Sequence, residues 1–443
     1  MASSPSPLDQ QTCDTAIRGS FLHFVADPLE SDSAAEYIED GLLILKEGRV
    51  QMLVDVADWL DCLPAGVEYF DYSGSLVMPG FIDTHTHYPQ TEMIGSHGHQ
   101  LLDWLQNYTF PTETKFADRD YAEQIAGLFC REMLRNGTTT SAVYATVHPE
   151  SVDAIFSAAE TLDMRLIAGK VMMDRHAPPE LLDTAETGYR ESRELIGRWH
   201  GKGRALYAVT PRFAPSCGDA QLEACGQLLR EDQSLYLQSH VAENHDEVRW
   251  VAELFPDCRS YLDVYDQFGL LGPRSIYGHC IHLDATDRER MANSGAAIAF
   301  CPTSNLFLGS GLFDLQTAWA SRIRVGLATD VGAGTSFSML RTLAEAYKVC
   351  QMAGYSLAPL QAFYLVTLGA ANSLYLDDRL GNFAAGKEAD FVVLDSGNSE
   401  LMQKRLEVAT SLEERLFALM MLGDDRNVRA THLMGKPRYS RDQ

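Results

Sequence analysis

Short apolar runs alternate with helix-patterned stretches through most of the chain. Eight runs rich in β-prone residues occupy positions 76–83, 139–144, 165–172, 206–210, 235–240, 275–279, 296–301 and 324–330. Runs this short, bounded by turn residues, read as buried strands. Between them, apolar positions recur at the three- and four-residue spacing of a helix face. Ile125, Leu128 and Phe129 do so before an Asn136-Gly137 stop, and Val248, Val251, Ala252 and Phe255 do so after the fifth run. Strand–helix alternation implies a parallel sheet, and eight units over about 300 residues favour a closed (β/α)8 TIM-like barrel. An open doubly wound sheet is the alternative. No G-x-G-x-x-G follows a strand, so a dinucleotide fold has no support.

The two ends of the chain carry a different pattern. Residues 41–53 hold two apolar runs flanking Glu47-Gly48, a hairpin signal. Residues 389–394 and 431–439 repeat that flavour near the C-terminus. We therefore expect residues 1–77 and 380–443 to meet as a small, discontinuous β-sandwich domain, with the barrel at 78–379.

Composition narrows the partners. The 443 residues include 61 acidic and 36 basic side chains, a net charge of -25 that opposes binding to nucleic acid or anionic membranes. No apolar stretch approaches the roughly 20 residues a membrane span needs. The opening MASSPSPLDQ has neither the basic start nor the apolar segment of a secretory signal, so a cytoplasmic location is expected. Nine scattered cysteines without a C-x-x-C pair read as reduced thiols.

Barrel enzymes place their chemistry at the C-terminal ends of the strands. The first run ends in Asp83-Thr-His85-Thr-His87, where two imidazoles two residues apart share one strand face. An isolated His-x-His is more often structural, and His97-Gly98-His99, which no apolar run precedes, reads as loop. The first pair has company: the fifth run ends in His240, the sixth in His279 and the eighth in Asp330. Imidazole and carboxylate donors from separate strand ends suit a metal; zinc is the first choice, with iron or manganese also compatible. Another zinc-holding pattern, H-x-E with P-C-x-x-C, fails, because His148-Pro-Glu150 has no P-C-x-x-C beside it.

Residues 79–87, Pro-Gly-Phe-Ile-Asp-Thr-His-Thr-His, resemble the opening motif of the amidohydrolase superfamily. Within it, the chain is similar to the guanine deaminases at His85-Thr-His-Tyr-Pro-Gln90, Thr210-Pro-Arg-Phe213, His240-Val-Ala-Glu243, 300–305 and 329–334. The resemblance implies one metal per subunit, held by His85, His87, His240 and Asp330. The fourth run lacks the lysine that bridges two metals in other members, and Lys170, in the third, reads as structural. It further implies hydrolysis of guanine to xanthine and ammonia, with metal-activated water attacking C2, and a homodimer.

Glu243 and Asp330 would then handle protons. By spacing alone, Glu243 reads equally as a shuttle or as a carboxylate favoured at a helix start. His279 either ligates the metal or hydrogen-bonds the attacking water or the substrate. Gln90 and Arg212 are expected to read the purine edge, and Phe213 to supply an apolar surface; a structural ion pair for Arg212 and core packing for Phe213 are the plainer readings. A neighbouring activity on 8-oxoguanine, a pterin or a triazine is the runner-up, and a catalytically silent scaffold the outsider.

Overall fold

The computed structural model describes residues 12–97 and 100–442. The first ten residues, and His99 of the His97/His99 pair, lie outside the described residues. Seven of the apolar runs and the second half of the first become the strands Phe81–His87, Thr138–Tyr144, Arg165–Gly169, Ala205–Pro211, Tyr236–Val241, Ser275–His279, Ala297–Phe300 and Arg324–Leu327. Each pairs in parallel with the next. The first half of the first run, Leu76 to Pro79, belongs instead to a strand of the terminal sheet, because Gly80 breaks the run in two. Just past the eighth strand, Asp330 N–H donates to the His85 carbonyl at 2.9 Å and His87 N–H to the Val331 carbonyl at 2.8 Å. These bonds close the barrel where the candidate ligands lie, and the open-sheet alternative falls.

Side chains alternate across the barrel wall, as the two-residue period of a strand requires. In the third strand Leu166 and Ala168 pack outward under the helices while Ile167 points inward. The interior is narrow, so Ala142, Ala208, Ala299 and Ala328 sit opposite Ile82, Ile167 and Ile276. The helix Arg119–Arg135 begins at Asp118, whose side chain accepts from Asp120 and Tyr121, and ends at Asn136. Gly137 follows at φ 80°, and a Cβ there would meet Val392 at 2.6 Å. Ile125 and Phe129 are buried on this helix, but Leu128 faces solvent; Ala122, Ala126 and Met133 complete the apolar stripe instead.

The chain ends share one seven-stranded sheet. At its centre Glu68–Pro79 pairs in parallel with Thr15–Phe24 on one side and antiparallel with Phe391–Leu394 on the other. The 41–53 hairpin signal is part of Ala35–Lys46 paired with Arg49–Asp55. Leu43 and Leu45 face one apolar cluster, Leu42 and Ile44 the opposite one.

Charged side chains tie this sheet to the N-terminal end of the barrel. Glu388 accepts from Arg165, at the start of the third strand, at 2.5 Å and from Arg204, just before the fourth, at 2.8 Å; Arg204 also pairs with Asp390. All four are largely buried. Conserving charge balance inside such a cluster is what makes it tolerable.

Candidate active site

The other end of the barrel collects the side chains singled out at the strand ends. His85 and His87 leave the first strand on one face, and their Nε2 atoms stand 3.2 Å apart. His240 brings its Nε2 within 3.3 Å of that of His87. Asp330 Oδ1 lies 3.4 Å from both His85 Nε2 and His87 Nε2. Donors bound at about 2.0–2.1 Å around a tetrahedral ion are separated by about 3.3–3.4 Å. The four side chains therefore fit a metal on this structure's own distances.

The protonation states of His87, His240 and Asp330 agree with that fit. Burial, ahead of every other influence, pushes His87 down to about 3 and His240 well below its ordinary value. Burial acts to raise Asp330, but hydrogen bonds from His85 and His87 outweigh it and hold the carboxyl well below the usual range. Neutral imidazoles and an ionised carboxylate are the forms a metal binds.

The ring orientations are set from behind. Nδ1–H of His240 donates to the Arg212 carbonyl at 2.6 Å, leaving Nε2 to face the cluster. Nδ1–H of His279 donates to Asn305 Oδ1 at 2.8 Å, and its Nε2 lies 3.4 Å from Glu243 and 3.8 Å from Asp330. Tyr144 wedges against the rings of His85, His87 and His240, with centroids 4.8, 4.4 and 4.9 Å away. Gly278 makes room for His85, whose Cε1 stands 2.8 Å from where a Cβ would be. Asp83 accepts from Thr329 and from the His85 N–H, tying the first strand to the chain just past the eighth. His279 and Asp330 hold φ values of 67° and 49°, a left-handed region costly to residues with a Cβ and common at functional sites.

Cys301 also belongs to this neighbourhood, grouped with His85, His279 and Asp330. Its thiol donates to the Ala299 carbonyl, and burial, with Asp330 beside it, pushes it well above its ordinary value. Lys170 is no ligand: its Nζ is buried against Asp183 at 2.5 Å and Glu191 at 3.6 Å.

Above the donors opens a pocket whose wall includes His87, Gln90, Arg212, Phe213, His240, Glu243, His279 and Asp330. All nine residues singled out in the sequence are thus in or against one space, His85 lying beneath it. Glu243 is not a helix cap; Asn244 and Glu247 cap the helix His245–Leu254, and the Glu243 carboxyl instead accepts from Ser310 Oγ at 2.8 Å. Burial, then the nearby Asp330, pushes Glu243 up to about 8. Arg212 does form an ion pair, Nη1 to Glu113 Oε2 at 2.6 Å, yet it still lines the pocket. Phe213 is buried and lines it as well.

Several residues of the site carry no signal in the sequence. Leu101, Trp104 and Leu105 roof the pocket from the segment after the first strand, and Leu308 adds to it from the opposite side. Ser310, Asn305 and Glu113 act through hydrogen bonds to residues already singled out. Only Asn305 lay in a quoted stretch. Ser310 lies in an irregular segment and Glu113 ends a one-turn helix, and neither carries a periodic signal that would mark it.

The Amidohydrolase family model matches residues 76–438. Guanine deaminase of Escherichia coli K12 is 50% identical over 430 residues, 96% of this chain and 98% of that protein. Among solved structures, E. coli guanine deaminase aligns with a TM-score of 0.95 at 50% identity, covering 96% of this chain and 100% of the other. Guanine deaminase from C. acetobutylicum with bound guanine in the active site aligns with a TM-score of 0.85 at 28% identity, over 96% and 100% of the two chains.

Proposed function

The chain belongs to the amidohydrolase family, and we propose that it hydrolyses the C2 amino group of guanine to give xanthine and ammonia. The observation that carries this reading is a protonatable carboxyl, Glu243, opening on the same pocket as His87, His240 and Asp330. Zinc is the ion we assign to His85, His87, His240 and Asp330, because three imidazoles and a carboxylate suit it.

When bound there, the metal supplies an acidified water, its pKa lowered from about 15.7 towards about 7. Glu243 takes the proton that this water gives up and passes it to N3 of guanine as C2 is attacked. A carboxyl held near neutral pH is suited to both halves of that transfer. The amine leaves only once protonated, and Asp330 and Glu243 carry the proton to it from the new C2 hydroxyl. C2=O then forms as ammonia departs.

His279 keeps its free Nε2 towards both carboxylates because Asn305 holds the other nitrogen. Arg212, which can only donate, faces the acceptor O6; Gln90 supplies both a donor and an acceptor to the adjoining edge. Phe213 lies against the purine ring. The test is spectroscopic: metal-loaded protein should consume guanine and accumulate xanthine and ammonia in equal amounts. Rapid turnover of 8-oxoguanine, a pterin or a triazine with guanine left intact would overturn the substrate assignment.

A further inference from the structure

Behind the two residues assigned to the purine edge lies a carboxylate with no part in the mechanism above. Glu113 ends the short helix Phe110–Glu113 and is 1% exposed. Its Oε1 accepts from Gln90 Nε2 at 3.3 Å and its Oε2 from Arg212 Nη1 at 2.6 Å. On the far side of the amide, Gln90 Oε1 accepts from the Gly332 N–H at 3.3 Å. Gln90 and Arg212 are buried too, at 4% and 3% exposed, so water does not compete for these bonds.

We propose that Glu113 is a positioning residue that sets the choice of purine by fixing the direction of the Gln90 amide and the Arg212 guanidinium. The inference rests on the guanine reading and deepens it. An ionised carboxylate only accepts, and a backbone N–H only donates. Between them, the Gln90 amide has one satisfied orientation. Turned over, its oxygen would meet the Glu113 carboxylate and its NH2 group the Gly332 N–H, and both bonds would be lost.

Held this way, Gln90 keeps one N–H and one lone pair for the pocket, while Arg212 offers donors alone. Guanine presents a donor at N1 beside an acceptor at O6. In 2,6-diaminopurine the same two positions are an acceptor and a donor, although the reactive C2 amine is unchanged. A site with fixed polarity accepts the first pattern and leaves its own buried groups mispaired with the second. Glu113 itself touches neither purine in this account, and it also anchors the segment that carries Leu101, Trp104 and Leu105 over the pocket.

The experiment compares kcat/KM for guanine and for 2,6-diaminopurine, by ammonia release, in the metal-loaded parent and in Glu113→Gln. A neutral amide at 113 satisfies either orientation of Gln90. The preference for guanine should fall at least ~10-fold while bound metal stays at one per chain. Equal losses on both purines would mean a structural role only and would overturn the inference. Should Glu113→Gln not fold, Glu113→Asp, which withdraws the charge by one methylene, is scored on the same ratio. There a fall of about threefold or more supports the inference and an unchanged ratio overturns it. A parent protein inert towards guanine would instead bring down the substrate reading, and this inference with it.

Discussion

His432 and His87 are both buried imidazoles that burial pushes far down, to about 4 and about 3. In the terminal sheet, His432 is closed on every side. Its Nε2 meets the Tyr72 hydroxyl at 2.7 Å, its Nδ1 the Gly435 carbonyl at 3.1 Å, and its ring stacks on Phe391 with centroids 4.3 Å apart. At the C-terminal end of the barrel, His87 turns its Nε2 towards two other imidazoles and a carboxylate. Exclusion of water keeps both rings neutral. What separates a structural histidine from a ligand is whether its second nitrogen is already spent.

Buried charge divides the same way. At the N-terminal end of the barrel, Arg165 and Arg204 neutralise Glu388 and Asp390 within hydrogen-bonding distance. At the other end the carboxyls of Glu243 and Asp330 have only histidines as ion-pair partners among the described residues, and no guanidinium or ammonium neutralises them. One region is complete as it stands, and the other is built around something added.

The largest effect should come from breaking the reactive end without emptying it. Glu243→Gln preserves the bond from Ser310 but cannot move a proton, and kcat should fall about 10³-fold. Metal content, read by elemental analysis, should stay at the parent level. His85→Ala, by contrast, should lose the metal itself. Near-parental turnover by Glu243→Gln would remove the shuttle from the mechanism.

At the other end the expectation is reversed. Glu388→Ala leaves the buried guanidinium of Arg165 without its partner and should cost about 3–5 kcal/mol of stability. The kcat of the folded fraction should be close to parental. Denaturant unfolding and kinetics on one preparation test both halves, and a large fall in kcat at full stability would erase the distinction between the two ends.

This division also explains what the sequence could reveal. Two imidazoles two residues apart at the end of an apolar run mark one strand face, and His240, His279 and Asp330 could be found by their places at strand ends. Those positions follow from backbone periodicity. The 3.3 Å contact of Gln90 with Glu113 follows from how the segment after the first strand crosses the pocket, and no spacing encodes it. Leu128 shows the converse: its helical spacing was right, yet the stripe that packs runs through Ala122, Ala126 and Met133. From the sequence Arg212 reads as substrate contact or ion pair, and its geometry allows it to be both.

A smaller effect, and one confined to the sheet, is the response to acid. His432 titrates at about 4 in the folded chain against about 6.5 when unfolded, so the unfolded state binds more protons in between. Its contribution is complete above pH ~6.5 and is lost as the pH falls towards ~4, reaching about 2 kcal/mol at pH ~5. His432→Phe should flatten this part of the stability profile while leaving metal content and kcat at pH ~7.5 alone. An equally steep loss of stability between pH ~7.5 and ~5 in the variant would place the acid sensitivity elsewhere.

The smallest effect sharpens the comparison from the reactive side. Among the described residues Ser310 Oγ is the one hydrogen-bond donor to the Glu243 carboxyl, and it binds Oε1, leaving Oε2 towards His279. A satisfied structural carboxyl would have several such bonds, as Glu388 has. A shuttle needs one, enough to hold the rotamer without trapping the proton. Ser310→Ala should therefore cost about tenfold in kcat with KM little changed, since binding of the purine edge by Gln90 and Arg212 is untouched. Ser310→Thr, which keeps the hydroxyl, should recover most of that loss. If alanine and threonine behaved alike, or if KM rose in place of the fall in kcat, Glu243 would be held by packing and not by this bond.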